Sequence, residues 1–111
     1  MSMTVSTTSG EVRGQEDGGV TRFLGIPYAA SPTGDLRFRA PVPPPAWDGV
    51  LDASAFSATP PKPDYPPPLD VMLPEPNIPG ENWLTLNVWT PGGAGLPVMV
   101  WIHGGAFSHG N

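Results

Sequence analysis

The sequence predicts part of an α/β fold, with short antiparallel strands first, a proline-rich loop next and strands of a larger sheet last. Apolar β-type residues gather at positions 20–28 and 83–102, and 13 of the 17 prolines fall between Pro41 and Pro79. The run 97–102 is apolar on both faces, which is typical of a strand inside an α/β sheet. Order at both ends, with irregular chain between them, therefore accounts for a Pro and Gly content that would otherwise predict disorder.

The N-terminal residues predict three antiparallel strands joined by two turns. Residues 3–8 are β-branched and alternate weakly, and Ser9-Gly10 is a turn signal before a second strand over 11–15. The second turn, Glu16-Asp17-Gly18-Gly19, leads into a third strand over 20–24.

Between Gly25 and Pro79 the chain is expected to run over a surface as irregular structure, because prolines are excluded from the interiors of helices and central strands. The run Pro66-Pro67-Pro68 fits a rigid extended loop, whereas an SH3-type ligand would need flanking basic residues. Irregularly spaced apolar residues are expected to anchor the loop onto a core: Phe38, Trp47, Val50, Leu51 and Phe56.

Two more strands and a glycine turn are predicted beyond Gly80. The first strand, over 83–89, is amphipathic, and the glycines at 92–95 fit a connection, since no Lys-Ser or Lys-Thr pair follows as in a phosphate-binding loop. The second, over 97–102, ends at His103-Gly104-Gly105-Ala106-Phe107. This glycine pair fits a tight turn that needs positive φ, or a loop that presents backbone N–H groups to an oxyanion.

Composition excludes several functional classes. The formal charge is −5 and Lys62 is the only lysine, which argues against nucleic-acid binding. The longest apolar run is too short for a bilayer, and the first ten residues lack the features of a secretory signal. No cysteine is present, and neither His103 nor His109 has a carboxylate at ligand spacing, so no metal site is expected. A cytoplasmic location is the expectation.

Five blocks of the sequence resemble the type-B carboxylesterase and cholinesterase-like family, in the order in which that family has them. They are residues 23–29, 36–38, 47–50, 81–91 and 98–107, and together they extend over nearly the whole chain. The resemblance implies the α/β-hydrolase fold, a small-molecule ester substrate, hydrolysis through an acyl-serine intermediate, and no cofactor.

The resemblance also implies roles for individual residues. Gly104, Gly105 and Ala106 correspond to the oxyanion hole, in which the second and third positions give two backbone N–H groups. Phe107 and Tyr28 are expected to line the acyl or alcohol pocket. His103 is expected to shape the loop rather than to act as the general base, because the family's triad histidine lies far downstream.

A further implication concerns an ion pair and a disulfide. The family pairs the arginine of the Arg-Phe block with the glutamate of the Glu-Asp-Cys-Leu block, which here predicts an ion pair between Arg37 and Glu81. Asn82-Trp83 replaces the Asp-Cys pair and the partner cysteine is also missing, so the family's N-terminal disulfide cannot form. That absence fits a reducing compartment.

The sequence holds no Gly-x-Ser-x-Gly motif, and no serine is expected to have both a base and an orienting third group. Residues 1–111 are therefore expected to be the N-terminal part of one hydrolase domain, cut before the nucleophile elbow and inactive alone. The remainder of the domain would be its partner. Two alternatives stay open: an adhesion homologue that kept the fold without the triad, and a freestanding module whose proline loop is a ligand.

Overall fold

The computed structural model describes all residues, 1–111, and places five strands in one sheet. The sheet order is β1-β2-β3-β5, and β4 pairs with β2 beside that path. The strands are β1 (Ser2–Ser6), β2 (Glu11–Asp17), β3 (Val20–Pro27), β4 (Val50–Asp52) and β5 (Thr85–Thr90). A 3-10 turn spans Gly34–Leu36 and the helix α1 spans Leu69–Met72, and both are too short to cross a bilayer.

The three antiparallel strands predicted at the N-terminus are confirmed. β1 pairs antiparallel with β2, with Val5 opposite Val12, and β2 pairs antiparallel with β3 across the Gly18-Gly19 turn. Residues alternate between buried and exposed at the start of β2, as a half-buried strand requires. The sheet therefore has one face that needs cover.

Trp47 and Leu51 supply part of that cover by packing against the core, and Leu51 lies in β4, which extends the sheet by pairing parallel with the beginning of β2. The Ala53 N–H donates to the carbonyl of Arg13 at 2.8 Å, and the Leu24 N–H donates to the carbonyl of Ala53 at 2.9 Å. Residue 53 thus bridges β2 and β3. Val12, Phe23 and Ala53 form the buried core at this junction.

The anchors predicted within the proline-rich loop are confirmed in part. Trp47 and Leu51 pack against the core, and the Trp47 Nε1–H donates to the carbonyl of Glu11 at 2.8 Å. Val50, Phe56 and Phe38 do not act as anchors, because they are 42%, 56% and 94% exposed. The ring of Phe38 contacts the neighbouring Arg37 guanidinium, 5.0 Å from the ring centroid, instead of a core.

The strand predicted over 83–89 is confirmed with a short shift of its start. β5 pairs antiparallel with β3, and the register changes between Phe23 and Ile26. Asn87 stabilises this irregularity, since its Oδ1 accepts the N–H of Gly25 at 2.9 Å.

The strand predicted over 97–102 is wrong for this chain. These residues form no ladder, and none of their backbone groups makes a backbone hydrogen bond. Their side chains are the most exposed apolar group of the molecule, from 77% at Val100 to 90% at Met99. The sequence pattern predicted a strand buried on both faces, but the chain supplies no neighbouring strand to bury it.

Candidate functional site

The segment predicted to form the oxyanion site folds as a tight turn, which we call the glycine turn (residues 103–110). The carbonyl of Gly105 accepts the N–H of Ser108 at 3.1 Å and the N–H of His109 at 2.9 Å. These two bonds reverse the chain directly after the apolar segment. The turn is therefore fixed by its own backbone around residue 105.

Two positions of the turn require glycine. Gly105 has φ of 144°, and a Cβ built on it would overlap the carbonyl oxygen of His109. Gly110 has φ of 88°, and a Cβ there would overlap the carbonyl oxygen of Gly104 and the ring of His103. The two arms of the turn are thus packed backbone against backbone. This contact leaves no room for even one methyl group.

The residues between these glycines adopt a strained backbone. Ala106 has φ of 52° and Phe107 has φ of 67°, both in the left-handed region. Each costs about 1–2 kcal/mol relative to an ordinary conformation. Strain of this kind persists where the surroundings impose it, and it clusters at functional sites.

The backbone N–H groups of the predicted oxyanion residues have no acceptor in the chain. No hydrogen bond is donated by the amides of Gly104, Gly105 or Ala106, although the Gly105 carbonyl accepts two. The donors of this turn are therefore available to an external acceptor. Backbone N–H groups without internal partners are one requirement of an anion-binding concavity.

A cavity of about 490 Å³ opens on the glycine turn. Its walls are the turn itself and a part of the proline-rich loop at Pro60, Pro61 and Lys62. Phe107 lines the cavity and its side chain is fully exposed. Tyr28 lies elsewhere, at the end of β3, where its N–H donates to the carbonyl of Leu84 at 3.1 Å. The structure thus brings Phe107 together with residues 104–106 and leaves Tyr28 outside.

The proline-rich loop contacts the glycine turn through charged and aromatic residues that sequence reasoning missed. Glu75 accepts the N–H of Gly110 at 2.6 Å through Oε1, and its Oε2 lies 3.2 Å from the Nζ of Lys62. The rings of Tyr65 and His109 stack with centroids 4.0 Å apart. The one signal for these contacts in the sequence is that Lys62, the only lysine, lies within the most proline-dense segment.

The environment of Glu75 favours its charged form. Removal from water acts to raise the pKa of this carboxyl group, but several favourable interactions outweigh that effect. They are the hydrogen bonds from Lys62 and from the Gly110 N–H, and the charges of Lys62 and His109. The pKa of Glu75 therefore lies below its ordinary value of 4.5.

The two histidines have local partners. The Nδ1 of His103 lies 2.8 Å from the carbonyl oxygen of Gly104, so it is the donor. Ser108 Oγ lies 2.8 Å from the Nδ1 of His109, so one serine has a histidine nitrogen within hydrogen-bond reach. The Nε2 of His109 is buried and has no partner, so no third group orients this pair as a triad requires.

The predicted ion pair between Arg37 and Glu81 is not formed. The two ion pairs of the chain join Arg13 to Asp52 and Lys62 to Glu75. Arg37 and Glu81 are both exposed, and exposed pairs gain too little to hold two long side chains together. The proline-rich loop is fastened by Lys62 and Glu75 instead.

Comparison with known proteins gives one family over the whole chain. The model of the carboxylesterase family matches residues 1–111. The phenmedipham hydrolase of Pseudarthrobacter oxydans is 44% identical over 108 residues, which are 95% of this chain and 22% of that protein. The para-nitrobenzyl esterase of Bacillus subtilis (strain 168) is 45% identical over 105 residues, which are 93% of this chain and 21% of that protein.

Solved structures agree with the sequence relatives. A structure of PNB esterase superposes with a TM-score of 0.80 at 43% identity, and the match covers 96% of this chain and 22% of that one. A carboxylesterase of Geobacillus stearothermophilus gives a TM-score of 0.78 at 41% identity over 96% of this chain and 20% of that one. The fold is thus that of the N-terminal part of an α/β-hydrolase, and the chain spans about one fifth of the length of these relatives.

Proposed function

Because this chain belongs to the carboxylesterase family, we propose that the full-length protein hydrolyses carboxylic esters and that residues 104–106 bind the oxyanion of the transition state. The nucleophilic serine and its histidine and acidic partners are proposed to lie outside residues 1–111. The 111 residues alone are proposed to be inactive, since a serine needs both a base and a group that orients the base.

The chemistry explains why backbone amides suit this task. Attack of a serine on an ester carbonyl makes an acyl-serine through a tetrahedral intermediate, and negative charge develops on the former carbonyl oxygen. Donors about 3 Å from that oxygen stabilise it most when they are already oriented. The N–H groups of Gly105 and Ala106 are proposed to supply two donors. The residue after the serine is proposed to supply the third.

One observation carries this proposal: the amides of Gly104, Gly105 and Ala106 are unpartnered in a strained turn that borders a cavity. Gly104 and Gly105 place no side chain over these amides, and Ala106 places only a methyl group there. An adhesion homologue would have no need to keep them free. The geometry therefore favours the enzyme over the binding protein.

The substrates are proposed to be small aryl or alkyl esters without any cofactor. Two similar proteins are named a phenmedipham hydrolase and a para-nitrobenzyl esterase, and the second name describes the cleavage of an ester that carries an aromatic ring. Phe107 is proposed to contact the acyl or alcohol group, because it lines the cavity beside the free amides. Tyr28 does not line this cavity, so its proposed place is a part of the acyl or alcohol pocket that the rest of the domain completes.

A pair of single-methyl changes in the full-length protein tests the oxyanion role. Gly105→Ala adds a methyl that overlaps the His109 carbonyl, so the turn must open and its amides must move. We expect kcat for p-nitrophenyl acetate to fall about 10²- to 10³-fold, as when an oxyanion donor is lost. The matched control, Gly92→Ala, also adds one methyl at a glycine of positive φ, but no atom lies within 4 Å of it and it is outside the oxyanion segment, so kcat should stay near that of the wild type.

Labelling with a fluorophosphonate shows whether a reactive serine is present at all. Stoichiometric labelling of the wild-type protein is expected, together with weaker labelling of Gly105→Ala. A folded full-length protein that neither hydrolyses esters nor reacts with the probe would be a binding homologue, and the proposed function would be wrong.

A further inference from the structure

Glu75 joins two segments that are far apart in the sequence. Its Oε1 accepts the N–H of Gly110 at 2.6 Å, and its Oε2 lies 3.2 Å from the Nζ of Lys62. The same Nζ donates to the carbonyl of Pro76 at 3.2 Å. We call this arrangement of Lys62, Glu75 and the Gly110 N–H the clasp. Both oxygens of one carboxylate are thus engaged, one by each segment.

The clasp is more shielded from water than the other ion pair of the molecule. The side chains of Lys62 and Glu75 are 11% and 19% exposed, whereas those of Arg13 and Asp52 are 46% and 57% exposed. A charge-assisted bond is stronger where water competes less for its partners. The clasp is therefore suited to hold a fixed geometry, and the Arg13–Asp52 pair is not.

The backbone that the clasp holds lies directly against the predicted oxyanion donors. Gly110 packs so closely on the carbonyl of Gly104 and the ring of His103 that no Cβ fits between them. A movement of Gly110 toward the Gly104 carbonyl would therefore displace the planar peptide group that also carries the Gly105 N–H. The Glu75 carboxylate is thus bonded to the Gly110 N–H, and Gly110 packs against the Gly104 carbonyl within the segment of unpartnered amides.

We propose that Glu75, supported by Lys62, is a positioning residue that sets the direction of the amides of residues 104–106. The inference rests on the proposed function of those amides. Glu75 touches neither substrate nor reacting atoms, and it acts through the Gly110 N–H. The proline-rich loop then supports the oxyanion site, in addition to packing Trp47 against the core of the sheet.

The decisive variants separate the hydrogen bond from the charge. Glu75→Ala removes both, Glu75→Gln keeps a side-chain oxygen that can accept the Gly110 N–H, and Lys62→Met removes only the cation. Asp52→Asn is the matched control, because it disrupts an ion pair that involves no residue of the clasp and lies between β2 and β4.

In the full-length protein, Glu75→Ala should lower kcat for p-nitrophenyl acetate by about 10- to 100-fold and leave KM almost unchanged. The reason is that displaced donors stabilise the transition state less well, whereas binding of the ground-state substrate does not depend on them. A trifluoromethyl ketone, which forms a tetrahedral oxyanion with the serine, should lose affinity by a similar factor. Glu75→Gln should recover most of the loss, and Lys62→Met should lose less than Glu75→Ala. Asp52→Asn should change neither kcat nor inhibitor affinity.

Hydrogen exchange of the peptide 103–111 gives a readout that does not need activity. The exchange should be faster in Glu75→Ala than in the wild type and near the wild-type rate in Glu75→Gln. An active enzyme in which Glu75→Ala leaves kcat and exchange unchanged would overturn the clasp. A folded, inactive wild-type protein in which Glu75→Ala still accelerates exchange would overturn the proposed function and retain the clasp as a structural device.

Discussion

The N-terminal sheet and the segment 97–102 are both rich in apolar β-type residues. Those at the core of the sheet are buried, whereas those of the segment are exposed to solvent. In the sheet, Val12 and Ala53 have no exposed surface and Phe23 is 3% exposed. In the segment 97–102, Val98 and Ile102 are 86% and 84% exposed. The two regions differ in partners rather than in composition.

An apolar pattern therefore indicates that a segment is to be buried, but it does not indicate which neighbouring segment buries it. β2 pairs with β1, β3 and β4, which all lie within the first 52 residues, so nearby parts of the chain bury its apolar side chains. The segment 97–102 has its apolar side chains on both faces, and only neighbouring strands on both sides could cover them. In this chain the free edge of β5 and the segment that follows it stay uncovered.

The largest expected effect comes from truncating one apolar residue in each region. In the 111-residue chain, Phe23→Ala should cost about 3–5 kcal/mol of unfolding free energy, because it empties the core. Ile102→Ala should stay within about 0.5 kcal/mol, because it removes an exposed side chain. Urea unfolding followed by circular dichroism measures both.

The same two variants in the full-length protein sharpen the comparison. In that protein Ile102→Ala should lower the unfolding free energy by about 2–5 kcal/mol, as for a buried residue, if other strands of the domain cover the segment. A full-length protein that tolerates Ile102→Ala as well as the 111-residue chain does would show that the segment stays uncovered, contrary to this account.

A smaller effect is expected where the loop is anchored to the sheet. Trp47→Phe keeps an aromatic ring against the core but removes the Nε1–H that donates to the Glu11 carbonyl. We expect a loss of about 1 kcal/mol of unfolding free energy, the usual net value of one hydrogen bond. Trp89→Phe is a control on the fluorescence signal, because Trp89 is 57% exposed and forms no side-chain hydrogen bond. Equal stability of Trp47→Phe and the wild type would show that the bond does not anchor the loop.

The smallest effect is expected at the exposed Arg13–Asp52 pair, and it depends on pH. Hydrogen bonds from Ser54 and then Arg13 hold the pKa of Asp52 below its ordinary value of 3.8. The stabilisation from a depressed pKa is complete above the ordinary value and is lost as the pH falls through the folded-state pKa. The wild type should therefore lose its small advantage over Asp52→Asn below pH 3.8 in a series of unfolding measurements. An advantage that grows in acid would contradict the assigned sign.

The elements that could be predicted from the sequence are those whose structure depends on residues close to them along the chain. Gly18-Gly19 and the alternation around Val12 place the first three strands correctly, because hairpins are local. A tight turn at Gly104-Gly105 was also predictable from the glycine pair, and Gly105 has the positive φ that such a turn needs. The free state of its amides follows from the structure alone.

The parts that could not be predicted depend on contacts between distant segments. The bond from Gly110 to Glu75 joins residues 35 positions apart across an irregular loop, and no periodicity marks it. The Arg37–Glu81 pair was predicted from a family pattern, but both side chains lie in water here. A family pattern gives candidate partners, whereas burial decides which partners gain from meeting.

The central claim is that the amides of the glycine turn point at a substrate oxygen. The most direct measurement is a crystal structure of the full-length protein after reaction with a phosphonate ester, whose phosphoryl oxygen takes the place of the oxyanion. The account predicts that this oxygen lies about 2.7–3.1 Å from the amide nitrogens of Gly105 and Ala106. It would be contradicted if those amides donated to main-chain carbonyls instead, or if the phosphonate were bound with its oxygen directed away from the turn.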